Sequence, residues 1–133
     1  MRLTEIEIEW AGGTHKFDLK LGNVRALQEK TGIGPGVIHE RLIAGQWKVD
    51  DYRETILQGL LGAGMAAPEA SKLVRTWVDE RPAKESLLPA QAIILSFIMG
   101  APPAKKAPAL KKKKKTTARA GSTSGRSTEP ALP

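Results

Sequence analysis

The sequence predicts an α+β fold in which an N-terminal antiparallel β-hairpin packs on four or five short α-helices, followed by a disordered basic tail. Apolar and charged side chains alternate from residue 5 to residue 20 around a Gly-Gly pair, as in a half-buried hairpin. From residue 23 to residue 99, apolar side chains recur at helical spacing between glycines and prolines. Residues 101–133 are rich in Lys, Pro, Ser and Thr and hold few side chains able to build a core. We therefore expect one small domain, 1–100, and a disordered tail, 101–133.

The hairpin prediction depends on Ile6, Ile8 and Trp10, which alternate with glutamates. A two-residue turn at Gly12-Gly13 is expected because glycine adopts the positive φ angles of such turns. This register pairs Trp10 with His15, Ile8 with Phe17, Ile6 with Leu19, Glu9 with Lys16 and Glu5 with Lys20. It also places Glu7 opposite Asp18, an unfavourable like-charge pair. Because a two-stranded ribbon is not stable alone, its apolar face must pack on the helices.

Helix signals then follow one another along the chain. The first helix is predicted from Asn23, a good N-cap, to Thr31, and the second from Pro35 to Ala44. The third helix is predicted to be capped by Asp50 or Asp51 and to end at the Gly62-Ala63-Gly64 cluster. The fourth helix is predicted to start at Pro68-Glu69 and to reach Val78. The last helix is predicted to run from Leu88 to Met99.

These patterns predict a core formed by the apolar faces of the hairpin and the helices. Its expected members are Ile6, Ile8, Trp10, Phe17, Leu19, Val24, Leu27, Ile38, Leu42, Ile56, Leu60, Leu73, Trp77, Ile94 and Phe97. The last helix is apolar on more than one face. It is therefore either a central core helix or a helix that leaves one side exposed for a partner.

The net charge of +7 is typical of a nucleic-acid-binding protein, but this charge is unevenly distributed along the chain. Residues 1–100 hold 12 Lys+Arg and 13 Asp+Glu, a net −1, whereas residues 101–133 hold 9 Lys+Arg and one Glu, a net +8. The basicity thus lies in the tail, and the domain itself has no excess of positive charge for binding phosphates.

The absence of cysteine excludes disulfides and thiolate chemistry. No secretory signal is recognisable, and the longest apolar stretch, Leu87–Met99, is too short to span a bilayer.

No residue pattern points to catalysis. His15 and His39 are far apart in the sequence and belong to no metal-binding motif. Asp50, Asp51 and Glu54 lie where a helix begins, so capping and the helix dipole explain them better than a paired-carboxylate site. The glycines at 32, 34 and 36 lack the Lys-Ser/Thr ending of a phosphate-binding loop. We therefore expect a protein that is not an enzyme and that has no cofactor or metal.

Three segments carry a family resemblance. They are Leu21–Gly32 with Gly34-Pro35 behind it, Trp47–Thr55 leading to Leu60–Met65, and Ala70–Val78 followed by Arg81-Pro82 and the last helix. Together they resemble the gene-transfer-agent family of small tail proteins, which is grouped with the phage tail-assembly chaperones and is also labelled tail tube protein. The resemblance covers residues 3–100, and its most distinctive part is the run Leu-Gly-x-x-Arg-Ala-Leu-x-x-Lys-Thr-Gly.

This resemblance implies a cytoplasmic protein of a bacterial host, present transiently during virion assembly. A tail-assembly chaperone is expected to coat the long helical tape-measure protein until tube subunits polymerise around it, with the tail tube protein as a second partner. Such a role needs apolar helix faces that shield another helix reversibly, and many copies bound to one tape measure favour self-association. The alternatives are a structural component of the tail tube and a small nucleic-acid-binding regulator.

The expected partner surface is the last helix, through Leu88, Ile93, Leu95 and Met99, with a free edge of the hairpin as the second choice. The lysines at Lys111, Lys112, Lys113, Lys114 and Lys115 are expected to promote solubility or to make weak, non-specific contact with a polyanion. The resemblance adds a third possibility for this lysine run, a slippery codon tract used for ribosomal frameshifting.

Overall fold

The computed structural model describes residues 3–102, and in this part of the chain a two-stranded antiparallel hairpin is followed by five α-helices. The strands are β1 (Ile6–Trp10) and β2 (Gly13–Phe17). The helices are α1 (Leu21–Thr31), α2 (Pro35–Ala44), α3 (Val49–Gly62), α4 (Ala67–Val74) and α5 (Lys84–Met99), and a π-helical segment, Arg75–Asp79, extends α4. The predicted hairpin-plus-helices class is thus confirmed. The predicted tail and its five-lysine run lie outside the described residues, apart from Ala101 and Pro102, so its disorder stays a prediction.

The hairpin forms, but its predicted register is wrong by two residues. Ile6 faces Phe17, Glu7 faces Lys16 and Ile8 faces His15. The turn residues are Ala11 and Gly12, with φ angles of 55° and 77°, the positive values that a tight two-residue hairpin turn requires. A shift of two keeps every side chain on its predicted face. It also gives Glu7 an opposite charge instead of Asp18, which removes the like-charge pair.

Two helices begin earlier than their capping residues predicted. Asn23 and Asp51 are not N-caps, because α1 follows Lys20 and α3 follows Lys48. The Asn23 side chain accepts a hydrogen bond from the Lys20 N–H at 3.1 Å, and Asp51 accepts one from the Lys48 N–H at 2.9 Å. Each side chain therefore satisfies a backbone donor from the third helical position rather than from the cap.

Helix α3 is the centre of the fold, since it packs against α1, α2, α4, α5 and β2. Two glycines of α3 let this helix lie close to the end of β2 and to the residue that follows it. A Cβ on Gly62 would lie 1.9 Å from the Asp18 carbonyl oxygen, and one on Gly59 would lie 3.0 Å from Phe17 Cδ1. The Asp18 N–H donates to the Gly59 carbonyl at 3.0 Å, which ties the end of the hairpin to this helix. Gly62, expected only to end a helix, is thus a packing residue.

The core contains most of the predicted residues. Trp10, Phe17, Leu19, Val24, Leu27, Ile38, Leu42, Ile56, Leu60 and Ile94 are buried as expected, joined by Tyr52, Ala70, Val74, Val78, Ala90 and Ile93. Ile6, Ile8, Leu73, Trp77 and Phe97 are half-buried around them. In the fourth helix the buried row is Ala70, Val74 and Val78 rather than Leu73 and Trp77. The π-helical segment widens the final turn and keeps Val78 on the same side as Val74.

Candidate partner-binding surface

Helix α5 has one side in the core and one side in solvent. Ile93 and Ile94 are buried, because α5 packs against α2, α3 and β1. On the other side, Leu88 is 72% exposed and Met99 is 75% exposed. Every residue from Ser86 to Met99 is uncharged. The helix is therefore apolar on more than one face over this stretch, although only part of its circumference is covered, and this mismatch makes it the candidate surface.

The exposed side chains of α5 form a row that we call the α5 stripe, defined by Leu88, Leu95, Ile98 and Met99. Leu88, Leu95 and Met99 are separated by two turns and one turn of helix, and Ile98 flanks them. At 1.5 Å per residue, the row from Leu88 to Met99 is about 16 Å long, which matches three turns of a partner helix. Leu95 and Ile98 are 44% and 45% exposed, so the stripe is continuous at its C-terminal end.

Three of the four predicted surface residues, Leu88, Leu95 and Met99, lie on this stripe, and their binding role stays a prediction. Ile93 does not lie there. It is only 2% exposed and its side chain lies near Gly59 of α3, so its prediction as a surface residue was wrong. Adjacent isoleucines at 93 and 94 both point inward because α5 is wedged between α2 and α3. Ile98 was missed, although its place one residue before Met99 was a usable signal.

A further exposed apolar residue lies at one end of the stripe. Leu3 is 85% exposed, and its carbonyl oxygen accepts a hydrogen bond from the Ala101 N–H at 2.7 Å. This bond holds the chain before β1 beside the residues that follow the C-terminus of α5. Leu3 belongs to no periodic apolar pattern in the sequence, so its position beside α5 could not be predicted from the sequence.

The histidines do not come together. His15 packs edge-on against Trp10, with ring centroids 5.5 Å apart, whereas His39 lies on α2. Within residues 3–102, no group of three His, Cys, Asp or Glu side chains is arranged to hold a metal ion.

The carboxylates of α3 are engaged in structural contacts. Asp51 is 1% exposed and lies 3.1 Å from Arg41 Nε of α2, in addition to its bond to the Lys48 N–H. Arg53 reaches across to the π-helical segment and donates two hydrogen bonds to Asp79, at 2.8 and 3.0 Å. These bonds and the Asp79 charge raise the pKa of Arg53, so its guanidinium stays charged. The contacts with Arg41 and Asp79 join α3 to α2 and to the π-helical segment, and the bond to Lys48 caps α3, so all of them have a stabilising role.

The distinctive run Leu21–Gly32 is also largely structural. Val24 and Leu27 are buried, and the Thr31 hydroxyl donates to the Leu27 carbonyl at 2.8 Å. Gly32 has a φ of 78°, the left-handed conformation that terminates α1. The run that carries most of the family resemblance therefore has structural roles in the fold. The α5 stripe lies in the last helix, where the sequence is less distinctive.

None of the helices among the described residues is long and apolar enough to span a lipid bilayer. Comparison with known proteins gives one finding. Residues 4–100 match the model of the family described as phage tail tube protein, GTA-gp10, which is a family of phage tail proteins and not of enzymes. No curated protein and no solved structure matches the chain. Because the family model covers most of the chain, this protein belongs to the GTA-gp10 phage tail tube protein family.

Proposed function

We propose that this phage tail protein acts as a tail-assembly chaperone that binds the tape-measure protein through the α5 stripe before the tail tube closes around it. The observation that carries the proposal is the exposed, uncharged side of α5, about three helical turns long and bounded by Leu88 and Met99. A row of this length fits the apolar face of another helix, the form expected of a tape measure.

The energetics suit a reversible contact. Fully burying one large aliphatic side chain contributes about 1.5–3 kcal/mol, and the residues of the stripe are already partly covered. Association also costs several kcal/mol of lost freedom, so a single copy bound through one stripe is expected to be weak. Many copies along one long helix shield it collectively, yet each is released individually when tube subunits arrive. A chaperone requires that combination of coverage and release.

A structural place in the tail tube is the second candidate, and the family description favours it. The sheet argues against it, since the described residues contain two five-residue strands, whereas a tube wall is expected to need longer strands. A nucleic-acid-binding role for the folded part has less support. Arg53, the one basic residue of α3, is occupied by Asp79 and Glu54.

The test is co-expression of the full chain with the long helical protein encoded near it, with soluble recovery of that protein as the readout. The stripe variant is Leu88→Gln/Leu95→Gln/Met99→Gln, which removes apolar surface without adding charge. Its matched control is Leu21→Gln, because Leu21 is a 59% exposed leucine in the first turn of α1, a helix whose main packing partner is α3 and not α5. We expect the wild type and the control to recover the partner in stoichiometric amounts and the stripe variant to lose it.

Undiminished capture by the stripe variant would show that α5 is not the binding surface. Presence of the chain in purified particles at the copy number of tube subunits would instead identify it as a structural tail component. Retention on DNA at low salt, with no capture of the helical protein, would support the regulator.

A further inference from the structure

The chain before β1 is held in place at two successive residues. The Leu3 carbonyl oxygen accepts a hydrogen bond from the Ala101 N–H at 2.7 Å. The Thr4 hydroxyl donates a hydrogen bond to the carboxylate of Asp18, a buried residue directly after β2. Each bond joins this segment to a different part of the fold. The backbone at Leu3 is therefore fixed, although it lies outside every helix and strand.

Gly100 makes the first of these bonds possible. Its N–H closes α5 by donating to the Ser96 carbonyl at 2.8 Å. Its φ and ψ angles are 92° and 151°, a combination that is essentially restricted to glycine. A Cβ on Gly100 would lie 3.9 Å from the Leu3 carbonyl oxygen, which is an ordinary contact distance. The need for glycine at this position is therefore conformational, and the turn that it allows brings Ala101 to Leu3.

The side chain that this arrangement fixes is not used by the core. Leu3 is 85% exposed, the largest exposure of any large apolar side chain among the described residues. It therefore gains almost no burial energy when the domain folds. Its hydrogen-bond partner, Ala101, follows Met99 by two residues, which is at most about 7 Å of chain. A helix that covers the α5 stripe and continues for about one or two more turns is long enough to reach Leu3.

A fixed and exposed apolar residue is well suited to binding. A mobile segment loses conformational freedom when it associates with a partner, and that loss lowers the affinity. The backbone of Leu3 has already lost this freedom through the bonds of Ala101 and Thr4. Covering Leu3 therefore contributes the burial of its apolar area at a smaller ordering cost.

We propose that Leu3 is a further contact residue for the apolar helix that binds the α5 stripe, and that Gly100 is a positioning residue that holds Leu3 in place. This inference rests on the function proposed above, because it assigns Leu3 to the same partner. It extends the binding surface from α5 to the segment before β1. The partner then contacts both ends of the folded part of the chain.

The test measures how fast the full chain dissociates from its co-expressed helical partner, with the co-purified complex immobilised through that partner. Leu3→Gln should dissociate about tenfold faster than the wild type, because it removes the apolar contact. Leu3→Met keeps an apolar side chain and should dissociate at nearly the wild-type rate. Gly100→Ala should also dissociate faster. Adding Leu3→Gln to Gly100→Ala should change the rate less than Leu3→Gln does alone, because Leu3 is no longer held.

The matched control for backbone strain is Gly64→Ala. Gly64 also has a positive φ, 105°, and its added Cβ would meet nothing within 4 Å. This variant should dissociate at the wild-type rate. Hydrogen exchange provides a readout that needs no partner. The Ala101 N–H should be protected in the free wild type and should exchange faster in Gly100→Ala, because its bond to Leu3 is lost.

The outcomes separate this inference from the proposed function. A wild-type dissociation rate for Leu3→Gln, together with loss of capture by the stripe variant, would overturn the role of Leu3 and leave the proposed function standing. Undiminished capture by the stripe variant would overturn both. Equal acceleration by Gly100→Ala and Gly64→Ala would show that Gly100 acts through the stability of the fold and does not position Leu3.

Discussion

Replacing Gly62 with alanine is the most demanding test of the fold, because α3 passes so close to the residues that follow the hairpin. The added Cβ would lie 1.9 Å from the Asp18 carbonyl oxygen and 2.7 Å from Asn23 Oδ1. Since such contacts are essentially never closer than 3.0 Å, the two segments must separate by about 1 Å. The bond from the Asp18 N–H to the Gly59 carbonyl lies beside this contact and would lengthen with it.

The expected cost follows from three contributions. Overpacking of this kind costs about 1–3 kcal/mol, and a weakened hydrogen bond costs about 0.5–1.5 kcal/mol. The higher helix propensity of alanine returns about 0.5–1 kcal/mol. The net loss in the free energy of unfolding is therefore about 0.5–4 kcal/mol, with a central value of about 2 kcal/mol, a large part of the stability of a small domain.

Urea unfolding followed by tryptophan fluorescence measures this loss as a lower midpoint at unchanged slope. The matched control is Gly36→Ala, because Gly36 is an exposed glycine of α2 and its added Cβ would meet nothing within 4 Å. That variant should be neutral or more stable by up to about 1 kcal/mol. Equal midpoints for Gly62→Ala and Gly36→Ala would refute the close approach of α3 to Asp18.

Three further predictions use single contacts. Ile93→Ala should lower the free energy of unfolding in urea by about 2–5 kcal/mol, because Ile93 is buried. Leu95→Ala should lower it by well under about 1 kcal/mol, because Leu95 is 44% exposed. The reverse order would show that α5 is rotated about its own axis relative to the structure described. Burial, and to a lesser degree the negative charge of Asp79, raises the pKa of Tyr52 above 10.0 in the folded state. The unfolded chain then releases this proton more readily, so stability should fall as the pH rises above about 10, and the fall should be smaller in Tyr52→Phe. A double-mutant cycle of Arg53→Ala and Asp79→Ala should give a coupling of about 1 kcal/mol that decreases with salt, because both side chains are partly exposed; zero coupling at low salt would remove this link between α3 and the π-helical segment.

The sequence was a reliable guide to which strands and helices form. It was a less reliable guide to the strand register and to the contacts between helices. Alternation of Ile6, Ile8 and Trp10 was enough to predict β1 and its buried face. The register was misplaced because Gly12-Gly13 looked like the better turn, whereas Ala11 accepts a positive φ that residue types alone disfavour. Gly62 was assigned to a helix end, since a glycine needed for close packing and one needed for termination look alike in a sequence.

The candidate site shows the same division. The last helix, which is apolar on more than one face, was recognised as a possible partner surface. Which of its residues face outward depends on the neighbours of α5, and those are set by long-range packing that periodicity does not contain. Leu88, Leu95 and Met99 were placed correctly at the surface, whereas Ile93 was not, because α2 and α3 together cover two adjacent positions of the helix.

The hydrogen bond between Leu3 and Ala101 means that the folded part begins and ends at almost the same point in space. A domain with adjacent ends can be inserted into a surface loop of another protein without long connectors. The folded part is therefore suited to transplantation as a unit, with both of its ends joined to a carrier through short linkers. Placed at intervals along an engineered scaffold, such units would present their α5 helices at controlled spacing.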